Sequence, residues 1–504
     1  MSATSIFNHV LGPVMRGPSS SHTAGAFHIG CLARSLFGER PRKAVFAFDP
    51  GGSYGKVFRQ QGADLAFACG ILGLPLTDDA FPNALAKAAE AGVAIAFEIR
   101  ELEGADHPNT VEIELSSAGG RTLRLRANSI GGGAVEFTRL NDWPIHFTGE
   151  AHEIAIEVEP GAEPAIVPFL SSSRITRHAS FLTARGREPF PKQTLQSLPG
   201  VRGVWMTEPV FFVQQGEPLF SSAAEMVALA AERGVSLGQL ALDYEATLLG
   251  LSRSEVLDEM TRRFEVMRRS VAEGLKPRPP AMQLLAPSAG AIFEAEAKGK
   301  LAAGGLHARA AARALAAMHV NSGMGVVCAA PTGGSAGTLP GVVVTLVEDM
   351  GIGRREAVLA LLAAGAVGVI VANRATFAAE VAGCQVEIGA AGAMAAAAVV
   401  DAVGGRPDQA ADAAAIAFQN TMGSVCDLVQ GIVEIPCHTR NAAAASNAFL
   451  CADLVLGGYS NPIPLDETID AVYAVGRMLP DELRCTALGG LAATPSARAM
   501  KRRR

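Results

Sequence analysis

At 504 residues the chain is long for one hydrophobic core, so two or three domains are expected. Hydrophobic residues at 49% against 18% charged exclude disorder over most of the length, and long Ala/Gly-rich tracts favour helices whose backbones approach closely. A net charge of -6, with no Lys/Arg run interleaved with aromatics, excludes a nucleic-acid grip, and the basic residues 501–504 read as a solvated end.

Taken in chain order, the N-terminus carries Asn8 and His9 and lacks the basic start and apolar run of a secretory signal, so a cytoplasmic protein is expected. Residues 1–150 mix helices and strands, with strands over 43–48 and 93–100 and a β-hairpin formed by 110–115 and 122–127 around Gly119-Gly120. This is an α+β domain. Residues 151–215 read as strand, helix, strand, helix, strand, with 153–158, a polar stretch at 171–177, then 181–184 and 204–212, a small α/β linking module. From Ser221 onward the chain reads as helical, and residues 216–504 form a mostly α-helical domain. Its first strong signal is the capping box Ser252 and Glu255 ahead of a core stripe of Leu257, Met260, Phe264, Met267 and Val271. A Pro-rich break at 276–280 follows, and Ala-rich helices then alternate with Gly-rich turns to about residue 455. The longest apolar run, 357–372, is shorter than the roughly 20 residues that span a bilayer and is followed by Asn373 and Arg374. It reads as a buried helix, with no membrane partner.

Several segments bear chemistry. Gly17-Pro18-Ser19-Ser20-Ser21-His22-Thr23 sets hydroxyls and backbone amides in a tight turn before a helix, suited either to binding a carboxylate or to capping that helix. Gly51-Gly52-Ser53-Tyr54-Gly55-Lys56 resembles a phosphate loop only superficially, because Pro50 and Val57 stand where a glycine and a magnesium-binding hydroxyl belong, and ATP binding is rejected. Ser129-Ile130-Gly131-Gly132-Gly133 permits close backbone approach to a ligand or forms a plain turn. Ala330-Pro331-Thr332-Gly333-Gly334 is either an anion-binding loop or a packing turn. Eight cysteines in an intracellular chain of this size are not a disulfide framework. Cys384, Cys426 and Cys437 sit in unusual loop sequence, yet their gaps of 42 and 11 residues match no zinc knuckle or ferredoxin run. By spacing alone, buried thiols and a metal site both stand. Three thiolates on a four-iron cluster would leave one iron open to act as a Lewis acid.

Together these stretches resemble the iron-sulfur-dependent L-serine dehydratases (L-serine ammonia-lyases), with the β part before the α part in one chain. The resemblance rests on Gly17 to Thr23, Ser129 to Gly133, the Ala330-Pro331-Thr332 loop and three cysteine segments: Gly383-Cys384-Gln385, Cys426-Asp427 and Pro436-Cys437 followed by Arg440-Asn441-Ala442. It implies a 4Fe-4S cluster with three cysteine ligands, Cys384, Cys426 and Cys437, and one open iron, carried by the helical domain. It implies that a small amino-acid substrate binds this iron by its hydroxyl and carboxylate, loses the α-proton and hydroxide, and yields a keto acid and ammonia. Expected substrate-binding residues are Ser19, Ser20, Ser21, Thr23, Gly131, Gly132, Thr332, Arg440 and Asn441, with His22, Gln61 and Ser129 at the chemistry, and a homodimer is expected. Two departures bear on the substrate. Gln61 stands where relatives carry a histidine, and glutamine cannot act as a base. Residues 283–290 depart from the family's glycine-rich loop. Threonine, hydroxyaspartate or cysteine are the alternative substrates, and a non-catalytic iron-sulfur sensor is the rival of another class. The remaining cysteines, Cys31, Cys69, Cys328, Cys451 and Cys485, read as buried or incidental, unless Cys485 serves the open iron. A pyridoxal-phosphate enzyme is disfavoured because no lysine sits in a suggestive glycine-rich context.

Overall fold

The expected strands at 43–48 and 110–127 form the middle of a six-stranded sheet in a computed structural model that describes residues 3–170, 174–178 and 180–503. The chain divides into two units, residues 22–215 and residues 1–21 together with 216–504. The N-terminal unit is mixed α/β, and the other is mostly helical.

In the N-terminal unit the sheet runs Ala94–Ile99, Lys43–Phe48, Thr110–Ser116, Thr122–Gly131, Ala134–Leu140, Trp143–Phe147. Only the first pair is parallel, its strands joined by a helical crossover; Lys43–Phe48 pairs antiparallel with Thr110–Ser116 on its other side, and the last four strands follow one another through turns. Gly119-Gly120 closes the expected hairpin, with Thr110 opposite Asn128 and Ser116 opposite Thr122. Helices Gly25–Phe37 and Ala63–Leu72 cross at Gly30 and Gly70, where a Cβ on Gly70 would come within 2.4 Å of the Phe27 carbonyl. Ser171 to Ser173, at the start of the expected polar stretch, and Ala179 lie outside the described residues.

Residues 152–207 depart from the expected pattern. Four strands are present, arranged Val201–Thr207, His152–Val158, Phe181–Gly186, Arg174–His178 and all antiparallel, with helical segments Glu163–Ile166 and Lys192–Gln196 in a β-α-β-β-α-β order. The unexpected strand, Arg174–His178, is an edge strand paired on one side only. Its polar residues need not alternate with apolar ones and leave no pattern to read. The last strand stops at Thr207 rather than running to Phe212, since Glu208 leads into Pro209, which has no N–H for a ladder.

The helical unit also contains a strand, against the expectation of helix throughout. Val326–Cys328 pairs antiparallel with Val14–Arg16, Val14 lying opposite Cys328. The chain's start is fastened in the same unit by Glu245, whose buried carboxylate accepts from Ile6 N (2.8 Å), Phe7 N (2.8 Å) and Ser5 Oγ (2.5 Å). Ile6 and Val10 then press on Gly365 and Gly368 of helix Arg354–Arg374, where a Cβ would meet them at 2.5 and 2.1 Å. That helix is the expected buried one. It and the stretch Cys384–Ala402 are long and apolar enough to cross a membrane, yet 78% and 89% of their apolar windows are buried in the unit. The Ser252/Glu255 capping box forms, and Met260, Phe264, Met267 and Val271 are buried, with Leu257 partly so. Lys501 to Arg503 are exposed, although Arg503 N donates to Gln283 O at 2.6 Å; Arg504 lies outside the described residues.

Candidate metal centre

In the helical unit, Cys384 opens a short turn after Gly383, whose φ of +77° suits glycine. Cys437 is the first residue of the 20-residue helix Cys437–Leu456. Cys426 lies in a loop bridged to Arg484, with Cys426 N donating to Leu483 O at 2.8 Å and Cys485 N to Cys426 O at 2.9 Å. The three thiols share one buried cluster with Met318, Ile388, Leu428 and Val433, and Cys485 packs on its edge. Cys384, Cys426 and Glu387 each bring a donor atom within 4.8 Å of the others; Cys437 lies in the cluster but outside that triplet.

These residues fit a metal group. No disulfide joins the eight cysteines among the described residues. The Cys384 thiol is held above the ordinary range by its hydrogen bond with Cys426 and by burial, and Cys437 by burial and then the nearby Cys384. Without a cation such thiols stay protonated, and a bound metal would hold them as thiolates. Burial, with Glu380 adding repulsion, pushes the Glu387 carboxyl up to about 7.

Among the expected substrate residues of this unit, Arg440 and Asn441 contact the cysteines, and Thr332 and Ser21 contact the carboxylates Glu387 and Glu380. Thr332 Oγ1 donates to Glu387 Oε1 at 2.6 Å, and Ser21 Oγ to Glu380 Oε1 at 2.9 Å. Ser19 Oγ is 3.2 Å from Ser21 Oγ. A Cβ on Gly333 would lie 2.8 Å from Ser20 N, so glycine is what lets the 330–337 loop meet the serine turn. Arg440 spans Val425 O (2.6 Å), Asp427 Oδ1 (3.0 Å) and Cys384 Sγ (3.7 Å), bringing a positive charge to the thiols. Asn441 is buried and its amide is engaged within the protein: Nδ2 donates to Gly334 O and Cys437 O, both at 2.9 Å, while Oδ1 accepts from Thr338 Oγ1 at 2.9 Å and from two backbone amides. It ties the glycine-rich loop to Cys437.

In the N-terminal unit, His22 is fully buried, its Nε2 3.2 Å from Ser53 Oγ and its ring edge-on to Tyr54 at 5.0 Å. Thr23 Oγ1 donates to the Gln61 carbonyl at 3.1 Å, and Gln61 is buried. Ser129 is buried at the end of its strand, its N donating to Asn109 O at 3.2 Å. Gly131 pairs with Ala134, leaving Gly132 and Gly133 as a two-residue hairpin turn with φ of +62° and +95°, a conformation that calls for glycine. The Gly133 carbonyl lies 2.8 Å from His28 Nδ1.

Sequence reasoning missed Glu387, Glu380, Ser53 and Glu434. Glu387 had a signal, lying one turn beyond Cys384, whereas the others acquire their neighbours only through folding. Glu434 fastens the divergent 283–290 stretch: its buried carboxylate accepts from the amides of Gln283 (2.6 Å), Leu284 (2.9 Å) and Leu285 (2.7 Å). Glu434→Ala removes the acceptor of all three and is expected to destabilise the protein by about 3 kcal/mol or more. Guanidinium unfolding tests this, and a loss under about 1 kcal/mol would show that those amides find other partners.

The chain matches the family model described as serine dehydratase alpha chain over residues 232–492, a span that includes all three cysteines. It is 38% identical over 285 residues to the probable L-serine dehydratase alpha chain of Bacillus subtilis, covering 56% of this chain and 95% of that one. With the L-serine dehydratase alpha chain of Peptoniphilus asaccharolyticus it shares 34% identity over 285 residues, covering 56% and 98% respectively. Over 156 residues it is 38% identical to the probable L-serine dehydratase beta chain of Bacillus subtilis, covering 31% of this chain and 69% of that one.

Proposed function

The chain belongs to the iron-sulfur L-serine dehydratase family of carbon-nitrogen lyases, and on that premise we propose that it deaminates L-serine to pyruvate and ammonia at a 4Fe-4S cluster held by Cys384, Cys426 and Cys437 with one iron open. The observation that carries this reading is the gathering of three cysteines, 42 and 11 residues apart, into one buried cluster beside the Thr332 loop and the serine turn. When bound, the cluster supplies a Lewis acid that makes hydroxide a feasible leaving group.

The chain's own residues do the rest. Ser19, Ser20, Ser21, Thr23, Thr332, Gly131 and Gly132 offer hydroxyls and backbone groups to the substrate. Arg440 offsets negative charge at the thiols, and Asn441 holds the loop that carries Thr332 in register with Cys437. His22, next in the chain after Ser21, is the proton-handling group, oriented by Ser53. Gln61 and Ser129 orient substrate without titrating near neutral pH. We assign the protein to the cytoplasm as a homodimer.

Reconstituted anaerobically and offered serine, threonine, hydroxyaspartate and cysteine, the protein is expected to release keto acid and ammonia fastest from serine. A full cluster that consumes another of these instead would move the substrate assignment. One that consumes none would identify a sensor, the reading that Gln61 in the usual histidine's place favours.

A further inference from the structure

Helix Gly305–Ser322 ends on two buried polar residues that bind two different parts of the helical unit. Asn321 Nδ2 donates to the Pro18 carbonyl at 2.9 Å, at the head of the serine turn. Ser322 Oγ donates to Val433 O at 2.5 Å and lies 2.8 Å from Nε2 of His438, the residue after Cys437. A serine hydroxyl has one hydrogen, which goes to Val433 O, so His438 is the donor in the second bond. The serine turn and the first turn of the Cys437 helix are therefore held from neighbouring positions of one helix end.

Asparagine is a costly residue in that place. Asn321 is fully buried, and its Oδ1 has no hydrogen-bond donor among the described residues. What faces that oxygen is Gly17: a Cβ there would lie 2.4 Å from Oδ1 and 1.9 Å from the Asn321 carbonyl oxygen, so glycine is what lets the turn settle on the helix end. A buried acceptor left unpaired lowers stability, and an apolar side chain would avoid that loss. The offsetting gain is at Nδ2. Gly17 N donates to Gly325 O at 3.1 Å and ends the backbone fastening that the preceding strand provides, and the Asn321 amide carries the attachment one residue further, into the turn itself.

Resting on the lyase reading above, we propose that Asn321 is a positioning residue of the site: its amide holds Ser19, Ser20 and Ser21 in register with the Cys437 helix, so that the turn meets the substrate's carboxylate in one fixed place. It acts through the turn and not on the substrate. Loosening the turn weakens the hold on a carboxylate in the ground state and the transition state alike, which raises KM and spares kcat.

The test compares the reconstituted holoenzyme with its Asn321→Ala variant. KM for L-serine is expected to rise about tenfold or more with kcat within about threefold of the parent, while iron content and the electron paramagnetic resonance of the reduced cluster stay as in the parent. Binding of 3-hydroxypropanoate, which carries the carboxylate and the β-hydroxyl, is read from its perturbation of that resonance and should weaken by the same factor. An unchanged KM would overturn the proposal, as would a fall in kcat alone or a loss of iron, either of which a general disturbance of the fold would produce. If the alanine variant does not fold, Asn321→Asp, which keeps the shape and puts an acceptor where the donor was, takes its place; failure of both to fold would make Asn321 a residue of the fold only and overturn the proposal. If the parent consumes no serine, the lyase reading fails, and the binding of 3-hydroxypropanoate still decides the role of Asn321.

Discussion

Replacing Cys437 by alanine should yield a colourless protein that neither retains iron after reconstitution nor turns over serine. Cys437 starts a 20-residue helix, and its thiol is buried among the other two. Alanine leaves the helix start intact, because alanine is the best helix former and the site's Pro436 precedes it unchanged. The loss therefore reports ligation and not unfolding, which circular dichroism of the variant would verify. Cys328→Ala and Cys451→Ala are the matching controls: both thiols are buried, but they pack in the main helical core rather than in the cysteine cluster, and both variants should keep their iron. Full iron in Cys437→Ala would remove Cys437 from the ligand set and leave Cys384, Cys426 and Glu387, the triplet of closest donor atoms, as its rival. Cys485 is a sharper control still, since its backbone is hydrogen-bonded to Cys426. Under three-cysteine ligation Cys485→Ala keeps its colour.

How far the site was legible depended on what kind of signal each residue carried. Spacing left the three cysteines ambiguous, and their flanking residues made the resemblance, because a cluster assembled from distant loops has no local period. The hairpin closed by Gly119-Gly120 was readable, since alternation and turn chemistry sit in one short continuous stretch. The pairing of Val14–Arg16 with Val326–Cys328 was not, as two three-residue strands more than 300 positions apart have no pattern in common before they meet. The edge strand Arg174–His178 was hidden for the opposite reason: it is polar because it borders solvent. Buried carboxylates were the systematic omission. Glu245, Glu434 and Glu153 look like surface residues in sequence, yet each is fully buried and accepts two or more backbone amides that would otherwise be unsatisfied.

His22→Asn should lower kcat by about 10²- to 10⁴-fold, the usual contribution of a positioned acid or base, while iron content stays at the parent level. The imidazole is fully buried, with Ser53 Oγ at its Nε2 and Tyr54 edge-on to the ring, so its orientation is set by the protein and not by solvent. Asparagine can keep a hydrogen bond to Ser53 but cannot exchange a proton near neutral pH. A smaller loss is expected for Gln61→Ala, because a glutamine can orient substrate and cannot supply the base. Ser53→Ala separates positioning from chemistry: it leaves the imidazole present but less constrained, so kcat should fall less than in His22→Asn and the pH profile should shift. Activity within about tenfold of the parent in His22→Asn would move the proton acceptor elsewhere. Gln61→His would then be the decisive variant, since a gain there would mean that a histidine at this position can take part in the chemistry and that the parent chain runs without it.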